Sequence, residues 1–123
     1  MWRVLFIAFL LVHAAIHLAI WATPAPKDPN APFDARHSWL LGDQRAAATV
    51  LALVAAALLG VAGIGLWAHA GWWRPVAAAA VAVSFGLMVL YFHPWFGFIQ
   101  VVNAGLVVAI VWLEWPTTAM VGA

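Results

Sequence analysis

The residues of this chain best suited to chemistry are His13 and His17, four apart within an apolar run from Trp2 to Ala22. In a helix that spacing puts both imidazoles on one face, one a turn above the other. Ionisable side chains at membrane depth are costly and usually face the interior of a helix bundle. On a later apolar run, Gln100 and Asn103 share a face. Asn103 should lie at the depth of His17, so a His17–Asn103 hydrogen bond is expected. Tyr91, His93, His37 and Trp39 collect at the same end of the bundle. With His13, His17, Gln100 and Asn103 they form the candidate ligand-binding set, at a polar pocket roofed by the connection after the first run.

Three chemistries suit this set. Interhelical hydrogen bonds among His, Asn and Gln can serve packing alone, at about 0.6 kcal/mol each. His13 and His17, as neutral imidazoles one turn apart, can ligate one metal ion, with His37 or His93 as a third donor. Zinc, copper and iron are all compatible with such ligands, and a haem between helices would need His13 or His17 opposite His93. The third chemistry is recognition of, or acid/base catalysis on, a lipophilic molecule. A histidine would carry the proton, and Tyr91, Asn103 and Arg36 would anchor the molecule. No spacing pairs a nucleophile with its base, so the residues leave open whether the protein is an enzyme.

The elements that must position these groups follow from composition. Of 123 residues, 67% are hydrophobic and 7% charged, against roughly 25% charged in soluble domains. The reading is an all-α, polytopic membrane protein: one domain over 1–123, a four-transmembrane-helix bundle with both termini on the same side. A span needs about 20 apolar residues, and four fit, at about 2–22, 44–67, 75–92 and 98–115. The end of the bundle at Met1 is called side A, and the end reached by Trp21 side B.

Pro24, Pro26, Pro29 and Pro32 stop the first helix, because proline lacks an N–H and restricts the residue before it. The connection is a long loop or a short interfacial helix over 34–42, with Asp34 as its N-cap, Gly42 as its stop, and Trp39 and Leu40 laid on the bundle mouth. Asp43 reads as the N-cap of helix 2, whose alanines and Gly60, Gly63 and Gly65 permit close helix approach. Ser84 and Met88 read as packing residues of helix 3, and His69 and Arg74 as solvated side chains on side A. The nine tryptophans all fall near span ends, where indoles concentrate.

A net charge of +1 with five Lys/Arg provides no basic stripe, so nucleic acid is not a partner. Without cysteine there is no disulfide, thiolate nucleophile or cysteine-ligated cluster. The first run carries no acidic residue of the kind on which small multidrug carriers depend.

The segments H-A-A-I-H in helix 1, S-W-L-L-G before helix 2, W-W-R-P opening helix 3, Ser84, and W-F-G-F-I-Q-V-V-N at the start of helix 4 resemble small bacterial four-span proteins, DoxX-like in size and layout. The long proline-rich connection, His37 and His93 depart from that pattern. The resemblance implies a four-helix bundle in a bacterial plasma membrane and no particular activity, and it directs attention to His13, His17, Trp95, Gly97 and Asn103. The leading functional expectation is a polar intramembrane pocket binding a lipophilic ligand or a metal or haem cofactor. The alternatives are a non-catalytic accessory subunit of a larger membrane complex and a small transporter working as a homo-oligomer.

Overall fold

The structure, a computed structural model, describes residues 1–22, 24, 27 and 34–122. Helix α1 (Trp2–His17) continues through a wider, π-type turn, Leu18–Ala22. Helices α2 (Arg45–Trp67) and α3 (Trp73–Leu90) follow. A single 3₁₀ turn, Pro94–Phe96, leads into α4 (Gly97–Val107), which ends in a second π-type turn, Val108–Trp112. A short α5 (Thr118–Val121) closes the described chain. Four of these segments are long and apolar enough to cross a membrane: Trp2–Ala22, Arg45–Trp67, Trp73–Leu90 and Pro94–Trp112. The four-helix membrane bundle read from composition is the fold observed.

Helix α2 packs along both α1 and α3, and α4 packs along α3. Small residues make the central position of α2 workable: Ala48, Ala52, Ala55, Ala56, Ala62 and Gly63 are buried on its contact faces. In lipid, where burial of apolar surface drives little association, such residues let backbones approach and gain dispersion contacts. Of the three glycines in this helix, Gly65 is the one that close packing requires. A Cβ there would lie 2.5 Å from the Trp72 ring, whereas Gly60 faces open space.

Two apolar clusters fill the bundle. The larger joins Phe6, Leu10, Leu59, Leu66, Trp73, Val81, Leu106 and Ile110 toward side A. The smaller joins Trp21, Leu87, Met88, Tyr91 and Phe96 toward side B. Trp21 and Trp73, near span ends in the sequence, are therefore core residues and not interfacial anchors.

The connection between α1 and α2 differs from a helical turn. Ser38 and Gly42 exchange backbone hydrogen bonds of 3.0 Å each, pinching 38–42 into a closed turn, and Gly42 takes the positive φ of 67° that this requires. Asp34, expected as the N-cap of a short helix, closes a turn instead, its carboxylate accepting from the Arg36 N–H at 3.0 Å. Pro26, Pro29 and Pro32 lie outside the described residues. Asp43 does not cap α2: Gln44 holds the cap position without a side-chain bond, and Asp43 instead accepts from His37.

On side A, His69 is exposed as expected, though hydrogen-bonded, and Arg74 is partly buried instead of solvated. His69, at φ 56°, joins Arg3 to the Gly122 carbonyl. This brings the first turn of α1, the α2–α3 corner and the end of α5 together at one end of the bundle. Arg74 donates to the Pro116 carbonyl at 2.9 Å and lies over the Trp73 ring.

Candidate functional site

Helix α1 and the turn after it carry a column of rings, Phe9, His13, His17 and Trp21, one per turn, of which Phe9 is exposed at the lipid edge and the other three are buried. Consecutive centroids are 5.8, 5.0 and 5.6 Å apart. His17 is fully buried and His13 is 6% exposed, so both imidazoles turn into the bundle, as their spacing suggested. Opposite them stand Ser84 of α3 and Asn103 of α4, both fully buried.

The hydrogen bonds fix the protonation pattern. His17 Nδ1 lies 2.9 Å from the His13 carbonyl oxygen, which can only accept, so Nδ1 carries the proton. Its Nε2 then holds a lone pair and accepts from the Ser84 hydroxyl at 2.8 Å. The Ser84 oxygen in turn accepts from Asn103 Nδ2 at 2.9 Å. The Asn103 amide orientation follows from the same logic, since an amide oxygen placed at Ser84 would meet no remaining proton. The chain of donation runs Asn103 to Ser84 to His17 to the His13 carbonyl, where it stops.

Two polar atoms of this cluster are left over. His13 Nε2 and Asn103 Oδ1 are buried without a well-formed hydrogen bond. The two side chains face each other, and Asn103 acts on the imidazole as a weak hydrogen-bond partner, but the contact does not reach the geometry that would satisfy either atom. Interiors almost always satisfy such groups, and each one left bare costs about 1–3 kcal/mol. The cluster is thus a saturated part, His17 and Ser84, that holds an unsaturated part, the His13–Asn103 pair.

The structure brings together three of the residues selected from the sequence, His13, His17 and Asn103. The direct His17–Asn103 bond expected is replaced by one through Ser84. Ser84 is the component sequence reasoning missed. The available signal was that it is the only side-chain hydroxyl of α3.

The residues at side B do not join this centre. Tyr91 donates to the Gln44 carbonyl at 2.6 Å, and burial raises its phenol above the ordinary value of 10.0. His37 is exposed and pairs with Asp43 at 2.9 Å. That hydrogen bond, helped by attraction to the imidazole, lowers the Asp43 carboxyl below its ordinary value of 3.8. His93 Nδ1 accepts from the Trp95 N–H, and the rings of Phe96 and Trp21 stand between His93 and His17. Trp39 is exposed and donates to the Val89 carbonyl at 2.7 Å. It lines, with Val89, Phe92 and Gln100, a groove of about 340 Å³. Gln100 Oε1 is buried without a partner there, so Gln100 and Asn103 serve different surroundings despite their shared helix.

A metal or haem finds a poor donor set. Both nitrogens of His17 are engaged, which leaves the His13 imidazole beside neutral Ser and Asn oxygens. Among the described residues no group of three or more His, Asp or Glu could hold a metal ion, while metal sites draw on three or four donors. A haem between His17 and His93 would have to displace the intervening rings.

Comparisons of this chain with family models, with curated proteins and with solved structures give no match. The functional reading therefore rests on the side chains themselves.

Proposed function

We propose that this chain is a multi-pass protein of a bacterial plasma membrane that binds the polar end of a lipophilic ligand inside its helix bundle. His13 and Asn103 are the binding residues. His17 and Ser84 are positioning residues, because their hydrogen bonds fix the Asn103 amide and the turn of helix that carries His13. One observation carries this reading: two buried polar atoms on facing helices meet without completing a well-formed hydrogen bond, in a cluster whose other hydrogen bonds are complete. A purely structural knot would gain from closing that pair or replacing it with apolar groups.

The test is recovery of the ligand. Protein purified in mild detergent, extracted with organic solvent and analysed by mass spectrometry, should yield a lipophile in near-equimolar amount. The His13→Phe and Asn103→Leu variants should yield about tenfold less while remaining folded. A wild-type preparation whose extract matches that of both variants would overturn the proposal.

A further inference from the structure

Resting on the reading above, the same pair of atoms together with a groove on side A narrows the ligand class. Asn103 Oδ1 can only accept. Because the His13 ring is turned to this amide, the tautomer with the proton on Nε2 is favoured, since a lone pair aimed at an amide oxygen would be repelled. The cluster therefore offers one donor and one acceptor side by side. A hydroxyl group satisfies both, taking the His13 N–H on its oxygen and giving its own proton to Asn103. An ether or an ester carbonyl has no proton for Asn103, and a carboxylate adds a charge where no cation faces it.

The apolar remainder of such a molecule has a place. A groove of about 280 Å³ on side A is lined by Leu5, Phe6 and Phe9 of α1, by Leu106 of α4, and by Trp2 and Trp115. Its lining is almost wholly apolar, which suits an alkyl or isoprenoid chain. Phe9 is one turn from His13 and its ring rests against the imidazole, and Leu106 is one turn from Asn103. The groove and the His13–Asn103 pair thus both lie between residues of α1 and α4, separated by the Phe9 ring. We infer that the ligand is a hydroxyl-headed lipophile, a long-chain alcohol or phenol, which enters sideways from the membrane past Phe9. Its chain lies in the groove and its hydroxyl bridges His13 and Asn103.

The experiment compares two probes on the full chain in phosphatidylcholine nanodiscs: hexadecanol carrying a diazirine in its chain, and the methyl ether of the same molecule. Photolabelling, competed with unlabelled hexadecanol and mapped by peptide mass spectrometry, is expected to favour the alcohol by about tenfold, the worth of one satisfied buried group. Labels should fall on the Leu5–Phe9 and Leu106–Trp115 segments. Asn103→Leu should abolish the preference. Leu5→Trp, at a lipid-exposed position outside the hydrogen-bond network, should reduce labelling by filling the groove. Equal labelling by alcohol and ether, indifferent to Asn103→Leu, would make the groove an ordinary lipid contact and overturn the inference, leaving the extraction test of ligand binding to stand or fall separately. Alcohol binding that depends on Asn103 but labels elsewhere would overturn the route and keep the site. No saturable alcohol binding to folded protein would overturn the ligand class. If extraction also returned nothing, the proposed function would fall with it.

Discussion

Two polar regions of this molecule look alike when residues are counted and differ when bonds are traced. At side B, His37, Asp43, Arg36, Tyr91 and His93 each engage a partner that ties the connection or a helix end in place. The Trp21 carbonyl, left open at the end of its helix, accepts from both Arg36 Nε and Nη2 and from the Thr49 hydroxyl, at 3.1, 2.8 and 3.1 Å. Arg36 there acts as a cationic C-terminal cap, the favourable sign for that end of a helix. In the interior, four side chains from three helices meet, and two of their polar atoms face each other without a well-formed hydrogen bond. Polar groups near water can be spent on stitching. Those at mid-membrane that are not so spent point to something else.

Several substitutions would break or sharpen that contrast. The largest effect is expected for Ser84→Ala, which strands His17 Nε2 and Asn103 Nδ2 together. Steric-trap unfolding in bicelles should show a loss of about 2 kcal/mol. A loss near the 0.6 kcal/mol of an average interhelical bond would reduce the cluster to ordinary packing. Next is Tyr91→Phe, which removes one hydrogen bond at the mouth and should cost about 1 kcal/mol in the same assay. His13→Phe should leave stability unchanged or raise it by up to about 1 kcal/mol, because it removes a buried Nε2 that completes no hydrogen bond, yet it should empty the site of ligand. A cost matching that of Ser84→Ala would place His13 with the saturated groups and erase the distinction.

The smallest effect concerns pH. The Asp43 carboxyl is lowered in the folded protein by its bond with His37, so the stability it adds is complete above the ordinary value of 3.8 and disappears as pH falls through its own lower one. Asp43→Asn should flatten the unfolding temperature against pH below 3.8 and lower it slightly near neutrality, where the carboxylate's contribution is complete. An identical acid limb in both proteins would show that the exposed pair contributes nothing.

How far the letters carried follows from what they encode. Span length and composition specify the four helices, because no other arrangement satisfies so apolar a backbone in lipid. The inward turn of His13, His17 and Asn103 was legible because a polar side chain on an apolar helix has one low-cost direction to face. Ser84 was not, since α3 is apolar nearly all round and its rotation is set by α2 and α4. The mouth residues were placed at the right depth, but depth does not give direction around the bundle axis. His37 and His93 were thus grouped with imidazoles they never meet. The Asp43 cap failed because its carboxylate meets the His37 imidazole across the closed 38–42 turn.

The widened turn at Leu18–Ala22 acts as a gear correction. In a regular α-helix every fourth residue slips by about 40° around the axis, so a file of four such positions would drift by about 120° and its last member would swing out toward lipid. The looser winding after His17 takes up part of that slip and keeps Trp21 aimed inward, its indole N–H on the Ala35 carbonyl at 2.9 Å. Deleting one residue from this turn would throw the indole out of register and unhook the polar mouth from the helix. The imidazoles, wound on the tighter segment before it, would keep their bearings.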